Sequence, residues 1–188
     1  MSDELNWVIV SQEVTTGPVC PNQSFTYDLF NTSENEALVY GEREYGINLK
    51  WGDPKNSDNV LFQRDTGTSD PIRYGEPVAI KIKNGGFLHN QLRDYGIGLV
   101  WREIPCFEWK LMGGNAGDAV QSGSVVALFN TVANDFLFYD PRTYGINLKW
   151  LKDKGKYNEP VWSRVAHKVV DELDKHKATI ATVGAAFV

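Results

Sequence analysis

Hydrophobic and polar residues alternate in three nearly identical stretches of this chain. In the first stretch the apolar positions are Ile47, Leu49 and Trp51. Asn48 and Lys50 lie between them. Successive side chains of a β-strand point to opposite faces, so the pattern predicts a strand with one buried apolar face and one polar face. The same alternation recurs at 97–101 and 146–150.

Each stretch belongs to a longer motif, Arg-x-Tyr-Gly-Ile-x-Leu-x-Trp. The tyrosines of the three copies are Tyr45, Tyr95 and Tyr144. They are separated by steps of 50 and 49 residues. Copies one and three also match upstream at a constant offset of 99, starting from Phe30 and Phe129, whereas copy two is more diverged. A fixed period of this length indicates a repeat architecture.

The alternation predicts four short strands in each copy, separated by residues that favour turns. The predicted strands cover 6–11, 24–31, 36–40 and 45–51 in copy one, 59–64, 76–83, 87–91 and 95–101 in copy two, and 107–112, 124–130, 135–139 and 144–150 in copy three. The repeats span about 5–52, 53–103 and 104–152. An apolar face repeated at equal spacing predicts an all-β domain over 1–152, a closed barrel in which each copy supplies one third of a shared core.

Three units of four strands resemble the β-trefoil superfold, over roughly residues 5–152. The stretch 74–81, Tyr-Gly-Glu-Pro-Val-Ala-Ile-Lys, and the following Gly86-Phe87-Leu88 are similar to the corresponding part of fascin-type and MIR-type trefoils. Ricin-B-type lectins carry a Gln-x-Trp motif in each unit, which this chain lacks. The resemblance implies loops at three equivalent places, where trefoils commonly hold sugars in shallow pockets.

The C-terminal segment, 153–188, has a different pattern. Asn158-Glu159-Pro160 is typical of a helix start, and apolar residues follow at helical spacing. The apolar tail 178–188 is too short to span a bilayer. We expect a helix and tail packed on the barrel; the alternatives are self-association, contact with a protein partner, or insertion into a membrane after assembly.

Composition and charge narrow the class of protein. The hydrophobic fraction of 42% and the charged fraction of 23% are typical of a soluble globular protein. A net charge of −5 argues against a nucleic-acid partner, because phosphate binding requires a basic surface. The sequence shows no secretory signal and no run long enough to cross a membrane. We therefore expect a cytoplasmic protein, or one exported without a conventional signal peptide.

Sequence motifs for catalysis, cofactors and metals are not evident. The histidines His89, His167 and His176 have no metal-ligand spacing, and no nucleophile elbow or phosphate-binding loop occurs. Cys20 and Cys106 are expected to be reduced thiols, with a single disulfide as the alternative. We predict that the protein is not an enzyme and uses neither cofactor nor metal.

Copies one and three share polar and aromatic residues that could bind a carbohydrate, since sugars need a flat aromatic ring and amide groups for their hydroxyls. The candidate residues are Asn31, Asn35, Tyr40, Asn48, Asn130, Asn134, Tyr139 and Asn147. The asparagines could instead close turns through their own backbone. Arg43, Arg93 and Arg142 could bind a ligand or tie carbonyl groups together between units.

Two functions remain open at this point. The first is a lectin-like protein that binds glycans or glycoconjugates at sites repeated around a pseudo-threefold axis. The second is a protein-interaction or toxin-associated module, such as a fascin-like binder, a protease inhibitor or a membrane-active assembly, that uses its loops and the segment 158–188. Fold alone does not separate them.

Overall fold

A computed structural model of the chain describes residues 3–13, 16–21, 26–34, 36–53, 60–82, 85–93, 96–142 and 145–153. The chain divides into two units, 1–154 and 155–188. All described residues belong to the first unit, so the predicted C-terminal helix and apolar tail lie outside them. Within the described ranges there is no helix with the length and hydropathy needed to cross a membrane.

The described part of the first unit is all-β, with twelve strands joined in one antiparallel sheet. Each predicted strand has a counterpart. The strands are β1 Trp7–Ser11, β2 Tyr27–Asn31, β3 Ala37–Tyr40, β4 Leu49–Gly52, β5 Val60–Arg64, β6 Pro77–Ile82, β7 Gly86–Asn90, β8 Leu99–Arg102, β9 Trp109–Met112, β10 Val125–Asn130, β11 Asp135–Tyr139 and β12 Leu148–Trp150. Short 3-10 turns precede the first strand, at Asp3–Leu5, and follow the last, at Leu151–Asp153.

Six of the strands form a closed ring. β1 pairs with β2, β2 with β5, β5 with β6, β6 with β9, β9 with β10, and β10 returns to β1. Each repeat therefore contributes two neighbouring strands of the ring. Closure of this kind leaves the ring strands without a free edge.

The other six strands form three hairpins, one per repeat. They are β3–β4, β7–β8 and β11–β12. Each hairpin joins the ring through its first strand, which pairs with the second ring strand of the same repeat. The threefold pattern of the sequence is thus matched by a threefold pattern of strand pairing.

One hydrophobic core is shared by the three repeats. The Ile and Leu of every copy of the repeated motif are buried, and they pack with apolar residues of the ring strands. The motif residues in this core are Ile47, Leu49, Ile97, Leu99, Ile146, Leu148 and Trp150. Trp51 and Trp101 are only partly buried and pack against the core from outside. The predicted apolar face is confirmed for these residues.

The last strand of each repeat begins later than the sequence predicts. It begins at Leu49, Leu99 and Leu148 rather than at the tyrosine of the motif. The motif glycine has a positive φ in every copy, between 78° and 89°, which favours glycine over all other residues. The amide of each of these leucines then donates to the carbonyl oxygen of the motif isoleucine at 2.7 Å. The motif glycine thus leaves the β region, and the hydrogen bond between leucine and isoleucine closes a tight turn at the start of each strand.

Candidate functional site

The first candidate site lies where the hairpin of repeat one meets repeat two. The half-buried Tyr40 hydroxyl accepts a hydrogen bond from Asn48 Nδ2 at 3.3 Å. The Tyr40 ring lies 6.0 Å from the Trp101 ring in a tilted arrangement. Trp101 Nε1 in turn donates to the Asn48 carbonyl oxygen at 3.3 Å. A tyrosine, an amide and an indole thus meet at the junction of two repeats.

The second candidate site repeats this arrangement between repeats three and one. Asn147 Nδ2 donates to the Tyr139 hydroxyl at 3.5 Å, and the Tyr139 ring lies 5.8 Å from the Trp51 ring. Burial raises the pKa of the Tyr139 phenol; the Asn147 hydrogen bond opposes this and the neighbouring Glu34 carboxylate adds to it. Trp51 Nε1 is buried and has no hydrogen-bond partner among the described residues. This site therefore adds a carboxylate acceptor and an unpaired indole donor.

The equivalent position in repeat two lacks both side chains. Tyr40, Asn90 and Tyr139 are equivalent, because each pairs with the leucine that begins the second strand of its own hairpin. Gly98 replaces the asparagine of the other two repeats. A Cβ at Gly98 would lie 3.2 Å from the Gln91 carbonyl oxygen, tighter than ordinary contact. The described structure thus has two like sites and one divergent junction.

The outward asparagines of the motif also shape their own loops. Asn48 Oδ1 accepts the Arg43 amide at 3.1 Å, and Asn147 Oδ1 accepts the Arg142 amide at 2.9 Å. The side-chain oxygen of each asparagine therefore binds the backbone of its own loop, and the side-chain nitrogen binds the tyrosine hydroxyl. Such side-chain contacts fix the orientation of the tyrosine hydroxyl.

The upstream asparagines occupy different environments. Asn31 and Asn130 are fully buried, and their oxygens accept backbone amides of the turns that follow. Asn31 Nδ2 donates to the Glu4 carbonyl oxygen, and Asn130 Nδ2 donates to Glu108. Asn134 is exposed with a φ of 49° in a turn, and Asn35 lies outside the described residues. The structure brings Tyr40 together with Asn48 and Tyr139 with Asn147, whereas the described contacts of Asn31 and Asn130 are to turns and to Glu4 and Glu108.

The motif arginines tie carbonyl groups together. In each repeat the guanidinium donates to the first leucine carbonyl of the last strand, at 3.4, 3.1 and 3.2 Å for Arg43, Arg93 and Arg142. Arg93 also donates to the Gly46 carbonyl oxygen at 3.2 Å, which links repeat two to repeat one. The sequence left open whether these arginines bind a ligand or tie carbonyl groups together. The described contacts match the second role.

A second group of reactive side chains lies in repeats two and three. His89, Cys106 and Glu108 each offer one possible ligand atom, and these atoms all lie within 4.8 Å of one another. His89 lies on β7, and the other two precede β9. Sequence reasoning missed the group because its members come from two segments, without the short spacing of a metal motif. Hydrogen bonds between repeats two and three bring the two segments together.

Both described thiols are free and partly buried. Burial raises the pKa of Cys20 and of Cys106, and the Glu108 carboxylate raises that of Cys106 further, while Arg102 opposes it. The reduced state expected from the sequence is the state in the structure. Both shifts run opposite to the lowered pKa that is typical of activated cysteines.

Comparisons of the chain with protein-family models, with curated proteins and with solved structures found no match.

Proposed function

We propose that the chain is a carbohydrate-binding β-trefoil of lectin type, with one glycan site at Tyr40–Asn48 and a second at Tyr139–Asn147. The observation that carries the proposal is the duplicated arrangement of tyrosine, asparagine and the tryptophan of the following repeat. Tyr40 and the two tryptophans also pack against the core, so the support lies in the matching set of side chains rather than in their exposure. The proposal treats the pair as two copies of one binding function.

The trefoil assignment is part of this proposal. Its support is the combination of a six-strand ring with three hairpins, each repeat contributing two ring strands and one hairpin. A trefoil with this connectivity presents its repeat junctions at three equivalent places. The two candidate sites occupy two of those junctions, and the third carries Asn90 and Gly98.

The chemistry of the two clusters fits a sugar. An aromatic ring offers its face to the C–H groups of a pyranose, and the tyrosine hydroxyl can both donate and accept. Each asparagine Nδ2 carries a second hydrogen beside the one given to the tyrosine. A neutral polyhydroxylated ligand also suits a chain with a net charge of −5, which disfavours polyanions.

The two sites are expected to differ in strength. Glu34 lies at the Tyr139 site, where its carboxylate can accept hydrogen bonds from two neighbouring sugar hydroxyls. The Tyr40 site is described with an amide and an indole beside the tyrosine. The Tyr139 site is therefore proposed as the tighter of the two.

A glycan array with the full-length protein tests the proposal. Binding to at least one class of neutral glycan is expected, and it should be lost in the double variant Tyr40→Ala, Tyr139→Ala. The matched control is Tyr45→Ala. Tyr45 lies in the β3–β4 hairpin that also carries Tyr40, is 69% exposed and lies outside both clusters. Absence of binding across a broad panel, or equal loss in the control, contradicts the proposal.

A protein-interaction function is the second candidate, favoured by exposed apolar residues on two adjacent loops. Leu92 is 94% exposed and Tyr45 is 69% exposed. Their loops are joined by the Arg93–Gly46 hydrogen bond. Contiguous exposed apolar surface is typical of contact sites, and these two residues lie on loops that touch. Concentration-dependent self-association that Leu92→Lys abolishes, together with a blank glycan array, would favour this function over the first.

A further inference from the structure

The group formed by His89, Cys106 and Glu108 is held by the packing of repeat three on repeat two. Trp109 Nε1, buried at the start of β9, donates to the Leu88 carbonyl oxygen at 2.7 Å. The Asn90 amide donates to Glu108 Oε1. These two hydrogen bonds place the segment 106–108 directly beside His89. The arrangement is thus fixed by contacts that bracket all three side chains.

Glu108 is oriented by its surroundings. Its side chain is buried, and Oε1 accepts hydrogen bonds from the Asn90 amide and from Asn130 Nδ2, the latter at 2.8 Å. Its backbone carbonyl oxygen accepts the amide and hydroxyl of Thr131. One carboxylate oxygen is therefore occupied, and Oε2 is left facing His89. Metal-binding carboxylates are commonly oriented by such outer hydrogen bonds.

The contact between His89 and Glu108 is short but poorly aligned for a hydrogen bond. His89 Nδ1 lies 2.6 Å from Glu108 Oε2, yet Nδ1 is buried and has no hydrogen-bond partner among the described residues. In an ordinary imidazole–carboxylate pair the N–H points at the oxygen. A neutral imidazole protonated at Nε2 presents a lone pair at Nδ1 instead, and Nδ1, Oε2 and the nearby Cys106 Sγ then offer three electron-pair donors to one ion.

We propose that His89, Cys106 and Glu108 form a zinc site, with Nδ1, Sγ and Oε2 as its protein ligands. Thiolate, imidazole and carboxylate are the three ligand types of protein-bound Zn²⁺. Tetrahedral coordination at ordinary bond lengths separates such ligand atoms by about 3.3–3.6 Å. His89 Nδ1 and Glu108 Oε2, now 2.6 Å apart, must separate by about 0.8 Å, and all three atoms lie within 4.8 Å of one another, so binding an ion requires shifts of roughly 1 Å.

Water completes the coordination. The His89 side chain is 24% exposed and Cys106 is partly exposed, so the site opens to solvent on the side away from Glu108. Three protein ligands and one exchangeable water form a coordination set distinct from the closed four-ligand sites of zinc fingers. The site is separate from the two tyrosine clusters and does not depend on the proposed carbohydrate binding.

Cobalt titration of the full-length protein tests the site. After chelator treatment under reducing conditions, one equivalent of Co²⁺ is expected to produce thiolate-to-cobalt charge-transfer absorption, and added Zn²⁺ should abolish it. Cys106→Ala and His89→Ala should each weaken binding by more than the 10- to 100-fold typical for loss of an outer hydrogen-bond partner. Cys106→Ser, closer in size to cysteine, checks that the loss comes from the thiolate.

Two controls separate the site from other ligands in the chain. Cys20→Ala should retain the absorption, because Cys20 lies outside the group. The double variant His167→Ala, His176→Ala should retain it too, since neither histidine belongs to the proposed ligand set. No thiolate–cobalt absorption in the parent protein, or its loss in either control but not in Cys106→Ala, overturns the proposal. In that case His89 and Glu108 are an ion pair beside a free thiol.

Discussion

Lys50 and Lys149 occupy the same position of the repeated motif, yet their surroundings differ. Lys50 is exposed, and its side chain lies against Gly41. Lys149 is only 3% exposed, and its Nζ lies 2.5 Å from Asp140 Oδ2. Asp140 and Gly41 both directly follow the tyrosine of their hairpin. The residue after the tyrosine therefore differs between the two hairpins: it is a carboxylate beside the buried Lys149 and a glycine beside the exposed Lys50.

Removing Asp140 should be costly, whereas removing the lysine charge should not. Asp140→Ala leaves a buried ammonium without its partner, and we expect a loss of about 3 kcal/mol in the free energy of unfolding. Lys149→Met replaces the charge with an apolar chain of similar length and is expected to be near neutral. Urea denaturation of both variants measures this, with Lys50→Met as the exposed control. An effect of Asp140→Ala no larger than those of Lys149→Met and Lys50→Met would contradict the role given to the ion pair.

Glu34 provides a residue-level test of the difference between the two proposed glycan sites. Glu34→Gln keeps the shape of the side chain but removes the charge that strengthens its hydrogen bonds to sugar hydroxyls. We expect about a tenfold loss of affinity at the tighter site, the equivalent of about 1.4 kcal/mol, and no change at the other. Titration calorimetry with an array-selected sugar measures both. Equal weakening of the two sites would contradict the assignment of Glu34 to the Tyr139 site.

At the scale of elements, local pattern predicted much of the structure. Period-two alternation sufficed to place all twelve strands, because one face of each is buried in a shared core. It overextended the last strand of each repeat, since the sequence pattern continues upstream of the leucine although Gly46 and its equivalents leave the β region. Pairing between β2 and β5, or between β6 and β9, has no local signal and followed only from the threefold repeat.

The hairpin loops should depend unequally on their arginines. The Arg93 guanidinium donates to a carbonyl of β8 and also to Gly46 of the neighbouring repeat. The Arg43 guanidinium is described with only the bond to a carbonyl of β4. Arg93→Ala is therefore expected to destabilise the fold by about 1.5 kcal/mol more than Arg43→Ala, the effect of one extra charged hydrogen bond. Thermal or urea unfolding of the two variants measures the difference. Identical transitions would show that the link between repeats adds no stability.

At the scale of the whole molecule, function was harder to predict than fold. The sequence grouped eight candidate residues by their repetition, but repetition reports core and loop structure as well as binding. Asn31 and Asn130 are repeated and buried, with amides that support turns. His89, Cys106 and Glu108 are not repeated and meet only through tertiary packing. Contacts between distant segments, which spacing along the chain does not predict, therefore brought these three residues to notice.

Ending the chain after residue 153 should leave a folded domain. Every strand of the ring and of the hairpins precedes that position, and the chain divides into units between 154 and 155. A single cooperative urea transition is expected for the shortened chain. Its absence would mean that 154–188 complete the core. Sedimentation of both forms shows in addition whether the C-terminal segment contributes to self-association, as the protein-interaction function requires.

The stoichiometry of glycan binding tests the central claim most directly. Calorimetric titration of the full-length protein with a monovalent sugar selected on the array should give two sites per chain. Tyr40→Ala and Tyr139→Ala should each leave one site, and the double variant none, with all variants still folded by circular dichroism. Three equal sites, one site, or two sites that persist in the double variant would contradict binding at the paired tyrosine and asparagine residues.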